Sequence, residues 1–362
     1  MSVRILQGDC RSVLLELAPE SVNCIVTSPP YWGLRDYGVD GQSGLEATPE
    51  EYVTGMVEVF RQARRVLRDD GTLWLNVGDT YAANRGYQVA DSKWVDVGNT
   101  RGMKATDMGL KPKDLVGIPW MLAFALRADG WYLRRRIVWC KPNGMPESVE
   151  DRPTAATEDV FLLSKSEHYH YDAKAIRMPP AASSITRWSQ YLEAQEGSAR
   201  ANGGGETNGN MKAAGAGARA LGGAPHGRHA LGENVPPNER RSDKQRGHSR
   251  KHAGFNDRWD AMSVAEQQSM GSNLRDWWII PTEGFADAHF AVMPTALARI
   301  CILAGCPEGG TVLDPFGGAG TTGLVADRHG RNAVLIELNQ EYAAIAEKRI
   351  RGDAPLFAEV SA

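Results

Sequence analysis

Residues that could do chemistry fall in two short clusters near opposite ends of the chain. The first is Thr27-Ser28-Pro29-Pro30-Tyr31-Trp32, directly after the apolar run Val22 to Val26, which predicts a buried strand. Two consecutive prolines donate no backbone N–H, so neither helix nor further strand pairing can continue and a stiff, extended turn follows. That turn offers the Ser28 hydroxyl, carbonyls with no neighbouring amide competing for them, and two aromatic rings. A planar base with an exocyclic amino group would suit it, with acceptors for the amino hydrogens and a ring face to stack on. Taken alone, the hexapeptide also reads as a proline-stiffened loop with an aromatic plug.

The second cluster is Asp314-Pro315-Phe316-Gly317-Gly318-Ala319-Gly320-Thr321-Thr322, after the strand-like run Thr311 to Asp314. Phe316, Gly318 and Gly320 form a nucleotide-binding turn, and Thr321 opens the helix after it. Glycine lets the backbone pass close to a ligand, and the helix N-terminus offers free N–H groups. Glu337 closes the next strand, 17 residues after Gly320, where a carboxylate can accept both ribose hydroxyls. The turn has no Walker lysine, which counts against ATP, and it departs from the dinucleotide spacing G-x-G-x-x-G. Asp314 would repel a pyrophosphate, but it could pair with an ammonium or balance a sulfonium, which favours S-adenosylmethionine. A third position, Asp9 in Gly8-Asp9-Cys10, lies at a strand-to-helix turn, where it either caps the helix or meets a ligand. Capping is the more ordinary role for that position.

Holding these residues in place requires alternating strands and helices. Val3 to Leu6 reads as a strand, Arg11 to Leu17 as a helix, and Pro49 to Leu67 as a helix with Tyr52, Met56, Val59, Phe60, Ala63, Val66 and Leu67 near helical spacing. Asp69-Asp70-Gly71 reads as a turn before the strand Thr72 to Val77, and residues 78–113 as loop. Ile118 to Ala128 is a helix stopped by Asp129-Gly130, and Tyr132 to Trp139 and Asp159 to Ser164 are strand-like segments closing the far edge of the sheet. A helix from Pro294 to Ala304, a strand Asn332 to Leu338 and a last helix Gln340 to Arg349 capped by Asn339 complete the pattern. Strand–helix–strand at this spacing predicts a parallel α/β sheet. The glycine turn is C-terminal and the proline turn N-terminal. If the last helix leads into the first strand, one doubly wound sheet forms with its chain start moved, and the clusters meet at its switch point.

The bulk numbers agree with a soluble globular chain. Of 362 residues 42% are hydrophobic and 23% charged, and the net charge of −3 argues against a nonspecific DNA coat. The N-terminus shows no signal-peptide pattern and no apolar run is long enough to span a bilayer, so a cytoplasmic protein without membrane contact is expected. Five scattered cysteines without a C-x-x-C pair predict reduced, mostly buried thiols and no metal. From Gly197 to about Gly254 the composition shifts to Gly, Ala, Asn and basic residues. Lys212 to Lys251 holds nine Lys and Arg against three acids, and four of the eight histidines (His226, His229, His248, His252) fall nearby. By composition this is a solvated insert, and its sign would favour a phosphate backbone in a salt-dependent way.

Together these motifs resemble the amino-methylating DNA methyltransferases in the permuted arrangement called the β class. Ser28-Pro29-Pro30-Tyr31 resembles that family's catalytic (S/D/N)-P-P-(Y/F) motif, Asp314 to Thr322 its cofactor motif and Glu337 its ribose-binding acid. Asp9 looks like the contact to the cofactor adenine, and His289 through Pro294 is similar to the segment packing on the methionine end. The resemblance implies a circularly permuted, mostly parallel seven-stranded sheet with an inserted target-recognition region. The catalytic half is residues 1–170, the insert 171–272, the cofactor half 273–352 and a tail 353–362. It implies Ser28, Pro29, Pro30 and Tyr31 as catalytic residues. The implied S-adenosylmethionine contacts are Asp9, Thr27, His289, Pro294, Asp314, Phe316, Gly318, Gly320, Thr321 and Glu337.

The implied substrate is double-stranded DNA, acted on by a monomer or homodimer. Ser28 Oγ and the Pro29 carbonyl would accept the amine hydrogens while Tyr31 stacks on a flipped base. No cysteine follows a proline, which disfavours carbon-5 methylation. Serine in the first motif position leans to cytosine N4, with adenine N6 the alternative. A catalytically idle DNA-binding protein of the same fold, and an RNA or protein amide methylase, are the rival readings.

Overall fold

The computed structural model describes residues 1–82, 88–89, 109–179, 266, 271–285, 292–353 and 359–361. The basic insert with its four histidines, most of residues 83–108 and His289 lie outside the described residues. Two contact units divide the chain: residues Met1–Ile176 with Arg275–Ala362, and residues Arg177–Leu274. In the second unit Met178 and Ser272 exchange both backbone hydrogen bonds at 2.9 Å.

The first unit is built on one large sheet, with a separate two-stranded pair of Arg35–Asp36 and Gln88–Val89. In chain order its elements are β1 (Ser2–Gln7), α1 (Cys10–Glu16), β2 (Val22–Thr27), the short β3 (Arg35–Asp36), α2 (Pro49–Val66), β4 (Leu67–Val77), the short β5 (Gln88–Val89) and α3 (Ile118–Ala128). Then follow β6 (Tyr132–Cys140), β7 (Thr157–Ser164), β8 (Trp277–Ile279), α4 (Thr295–Gly305), β9 (Thr311–Asp314), α5 (Thr321–Arg328), β10 (Asn332–Glu337), α6 (Gln340–Asp353) and β11 (Glu359–Ser361). The strand order is β11-β1-β10-β9-β2-β4-β7-β6-β8. All neighbours run parallel except β7, which is antiparallel to both β4 and β6.

The sequence pattern explains the local structure. Helix α2 begins where Thr48 accepts a hydrogen bond from the Glu51 amide at 3.2 Å, with Pro49 in the first turn and Glu50 and Glu51 at the positive end of the dipole. Its Tyr52, Met56, Val59, Phe60, Ala63 and Val66 are buried at helical spacing and join a core with Leu14, Leu73, Leu75, Trp131 and Phe161. Burying each large side chain contributes about 1.5–3 kcal/mol.

Residues distant in sequence become neighbours at the middle of the sheet. Strand β1 pairs along its length with β10, from Val3 beside Ala333 to Gln7 beside Glu337. Strand β9 lies between β10 and β2, with Ile25 beside Leu313. The connections from β9 and β2 depart in opposite directions, so the switch point falls between them.

Several expectations need correction. The sheet has nine strands rather than seven among the described residues, because β8 and β11, three residues each, extend its two edges. Residues 359–361 therefore belong to the sheet rather than to a tail, and the far edge is β8 rather than the β6–β7 hairpin. Asp69-Asp70-Gly71 makes no turn before the strand. These residues lie within β4 as an irregularity, where the register with β2 jumps from Val22–Leu67 to Cys24–Thr72. The Asp70 and Gly71 carbonyls there are taken by the His170 and Lys165 amides. The loop read over 78–113 also contains a two-residue strand, β5, paired with β3.

All five cysteines are free, and four are buried; burial pushes the Cys306 thiol up to about 12. Among the described residues no helix is long and apolar enough to cross a membrane, and no group of three or more His, Cys, Asp or Glu could hold a metal.

The packing of α4 on β2 and β4 gives a direct test. A Cβ on Gly305 would lie 2.4 Å from Trp74 Nε1, 2.5 Å from Thr72 Oγ1 and 2.8 Å from Cys24 Sγ, all buried groups. Gly305→Ala is expected to destabilise the chain by about 1–3 kcal/mol despite alanine's better helix propensity. Urea unfolding measures it, and an unchanged midpoint would mean that α4 does not approach the sheet this closely.

Candidate active site

The proline turn leaves the C-terminal end of β2, and three contacts shape it. Tyr52 of α2, fully buried, donates its hydroxyl to the Pro30 carbonyl at 2.9 Å. Of the two prolyl carbonyls in the turn, the Pro30 oxygen is thus engaged within the protein. Trp32 is only 3% exposed and its Nε1 donates to the Glu46 carbonyl at 2.9 Å. Of the two rings expected on display, one is therefore a core anchor, and only Tyr31 is half-buried at the site. Gly78 makes room for that ring: a Cβ there would sit 2.5 Å from Tyr31 Cε2.

The polar end of Tyr31 enters a network that the motifs did not reveal. Ser28 Oγ donates to Tyr31 Oη at 3.3 Å, and Tyr31 Oη donates to Glu158 Oε2 at 2.7 Å. Asn76, buried at the end of β4, donates Nδ2 to the same Glu158 oxygen at 3.1 Å. The other oxygen of Glu158 is ion-paired with Lys141, just past β6. Burial, and then the Glu158 charge, hold the Tyr31 phenol well above its ordinary range, so it stays protonated. Glu158 escaped sequence reading because it opens β7. Only the antiparallel direction of that strand brings its start to the edge where β2, β4 and β9 end. The apolar run within Asp159 to Ser164 carried the strand signal, but it neither reached back to Glu158 nor gave the strand's direction.

Asp314 ends β9, and Thr27 ends β2. Thr27 Oγ1 donates to Asp314 Oδ1 at 2.6 Å, Thr322 Oγ1 to Oδ2 at 2.7 Å, and the Phe316 amide to Oδ1 at 3.1 Å. Three of the roughly four acceptor positions of this carboxylate are thus used within the protein. Burial pushes its pKa up to about 7, against the opposing pull of these donors, with Glu337 adding repulsion. Glu337 accepts the Gly318 amide at 2.7 Å and the Asn339 amide at 2.8 Å, and burial holds it above the ordinary carboxylate range. Gly318 and Gly320 have φ of +49° and +77°; a Cβ on Gly320 would meet Ala346 Cβ at 2.8 Å, whereas the space at Gly318 is open. The turn therefore closes on α6 on one side and leaves room on the other.

The remaining predicted residues separate. Asp9 caps α1 through the Arg11 amide at 2.9 Å and grips the Arg11 guanidinium at 2.7 Å. Burial raises its pKa, and the Arg11 hydrogen bonds outweigh that and leave it below its usual value. Thr321 Oγ1 is held by Arg349 at 2.9 Å. Pro294 occupies the position before α4, whose first amide, Thr295, is capped by Glu283 at 3.0 Å.

Known proteins are similar to this chain in sequence and in fold. A family model described as DNA methylase matches residues 22–348. The type II methyltransferase M.Cfr9I of Citrobacter freundii is 41% identical over 353 residues, covering 96% of this chain and 88% of the relative. The type II methyltransferase M.SmaI of Serratia marcescens is 39% identical over 351 residues, covering 96% and 91%. Among solved structures, the Thermus thermophilus protein TTHA0409 in complex with S-adenosyl-L-methionine superposes with a TM-score of 0.53 at 22% identity, covering 99% of this chain and 98% of that one. The PvuII DNA methyltransferase (cytosine-N4-specific) superposes with a TM-score of 0.54 at 17% identity, covering 96% and 87%. At those identities the structures establish the shared fold.

The Thr27–Asp314 bond carries a pH signature. Asp314 titrates near 3.8 when unfolded and near 7 in the fold, so the folded chain holds an extra proton between those values. Its contribution to stability is therefore greatest below about pH 4 and declines as pH rises to 7. Thr27→Val removes a donor that favours the ionised form. It should cost about 1–3 kcal/mol above pH 7 and less at pH 5, measured by urea midpoints at both pH values. A loss that does not grow with pH would mean that Asp314 is not the group Thr27 serves.

Proposed function

This chain belongs to the N6/N4 DNA methylase family and is a type II DNA methyltransferase, and from that premise we propose that it methylates the N4 amino group of cytosine in double-stranded DNA. The observation that carries the reading is the hydrogen-bond state of Ser28. Its proton is directed to Tyr31, so its oxygen can only accept further hydrogen bonds, as an incoming amine requires. Serine rather than Asp or Asn at this position favours cytosine over adenine.

The cofactor fits the other half of the site. Asp314, buried, and Glu337, partly buried, are carboxylates with raised pKa values, and a cation between or beside them would relieve both. S-Adenosylmethionine carries a sulfonium and an ammonium and, when bound, supplies the methyl group on its sulfur. Glu337 would hold the ribose hydroxyls with its remaining lone pairs, the open side of Gly318 would let the adenosine approach, and Asp314 would face the positive end. Asp9, Thr27, Phe316, Gly320, Thr321, Pro294 and His289 belong to the same proposed surround. Thr27, Thr321 and Asp9 act there through the neighbours they hold.

Ser28 Oγ and the Pro29 carbonyl accept the two amine hydrogens, which draws the nitrogen lone pair out of conjugation and aims it along one line. The ring of Tyr31 stacks on the base once it has left the duplex, offsetting the few kcal/mol of unstacking. Positioning provides much of the acceleration. The basic stretch within residues 212–251 would track the phosphate backbone.

The test is transfer of labelled methyl groups from S-adenosylmethionine to duplex DNA, followed by digestion to nucleosides. N4-methylcytosine is expected, and N6-methyladenine as sole product would overturn the cytosine assignment. Tyr31→Ala should lower turnover by at least about 100-fold, from lost positioning, while cofactor affinity persists. Equal loss of both would place Tyr31 in the cofactor site instead.

A further inference from the structure

We propose that Glu158 is the terminal proton acceptor of the methyl transfer, reached from the substrate amine through the hydroxyls of Ser28 and Tyr31. The proposal rests on the amino-transfer reading above and assigns the fate of the proton that reading leaves over.

The chemistry requires such an acceptor. The amine nitrogen forms its bond to the methyl carbon as the carbon–sulfur bond breaks, with its electron pair going to sulfur. The nitrogen is then cationic and must release one proton. Ser28 Oγ takes that proton as its own passes to Tyr31 Oη, and the Tyr31 proton passes to Glu158 Oε2. Each hydroxyl gains one proton and loses one, and Glu158 ends neutral. Later loss of that proton to solvent and rotation of the two hydroxyls restore the start.

The geometry runs in that direction. Ser28 donates to Tyr31 at 3.3 Å and Tyr31 donates to Glu158 at 2.7 Å, so both hydroxyl protons already point away from the substrate. The second carboxylate oxygen is paired with Lys141, and the two side chains are only 16% and 19% exposed. This shields the acceptor from bulk water while leaving it a route out. Lys141 Nζ also lies 4.7 Å from the centroid of the Trp139 ring, so its charge keeps a partner when Glu158 is neutralised.

Asn76 holds the receiving oxygen in place and is itself fixed by donating to the Asp159 carbonyl at 3.3 Å. Other charges face the relay from each neighbouring element. Asp159 follows Glu158 on β7 and is paired at 2.8 Å with Arg136 of β6. The charge of Arg35, on β3 after the proline turn, acts on Tyr31. Asp79 lies just past β4, occupied by the Gly117 and Ile118 amides at 3.0 and 3.1 Å. A Glu158 that merely braced the Tyr31 ring would have the same contacts, so the test must read the proton and not the fold.

The experiment is single-turnover methyl transfer by the full chain, with S-adenosylmethionine and duplex DNA, across pH in water and in deuterium oxide. The wild-type rate is expected to rise along one ionisation and to show a solvent isotope effect. Glu158→Gln keeps an oxygen that can accept from Tyr31 but cannot take the proton. It should slow the step on the order of 100-fold, flatten the pH limb and remove the isotope effect, with cofactor affinity unchanged. Tyr31→Phe keeps the ring and breaks the relay, so it should flatten the limb as well.

Lys141→Met removes the cation and should move the limb to higher pH. A limb that survives Glu158→Gln or Tyr31→Phe, or that Lys141→Met leaves in place, overturns the relay. A wild-type chain that binds S-adenosylmethionine but methylates no duplex would sink the amino-transfer reading itself. That result is distinct from an active wild type whose pH limb survives the variants.

Discussion

One buried carboxylate joins the two ends of this protein's chemistry. Asp314 accepts from Thr27, a residue 287 positions earlier in the chain, and from Thr322 at the start of the helix after the glycine turn. Burying an acid without partners would cost several kcal/mol, so the three donors around Asp314 are what make its position tolerable. Thr27 immediately precedes Ser28, and Asp314 immediately precedes the glycine turn. The bond therefore ties the proline turn to the glycine turn, in addition to the strand pairing between β2 and β9. The same carboxylate and Glu337 both have raised pKa values, so a cation beside them would relieve both.

The sheet gathers many strand ends on one edge. Strands β2, β4, β9 and β10 bring Thr27, Asn76, Asp314 and Glu337 there by their carboxyl ends. The antiparallel β7 contributes its beginning, and with it Glu158. Beneath the proline turn, the hydroxyl of Tyr52 and the buried indole of Trp32 hold the backbone from the core side. The turn's stiffness is thus partly intrinsic to Pro29 and Pro30 and partly imposed by α2. Rigid support of this kind matters for a reaction whose rate depends on aligning a weak nucleophile.

Several features were readable from residue types. The double proline, the positive-φ glycines and the closing acid each have a local physical meaning, and their order along the chain implied a permuted sheet. Helices α2, α3 and α6 followed from apolar spacing and caps, within a residue or a few of the observed ends. The short edge strands β8 and β11 were not readable, because three residues carry too little periodicity to separate a strand from a loop. Asp69-Asp70-Gly71 misled for a similar reason: its residues favour turns, but their carbonyls found partners from the neighbouring segment after β7.

The sequence by itself determined the chemistry on offer: a turn whose two prolines cannot donate, a glycine bend with room for a nucleotide, and acids placed at strand ends. Those properties reside in single residues and their near neighbours, so no knowledge of distant contacts was needed. Only the tertiary structure decided which groups these residues would meet. It turned Trp32 inward, spent most of Asp314 on Thr27 and Thr322, engaged Asp9 with Arg11, and set Glu158 and Lys141 behind Tyr31. Each of those outcomes depends on strand order and direction, which arise from packing across the whole sheet.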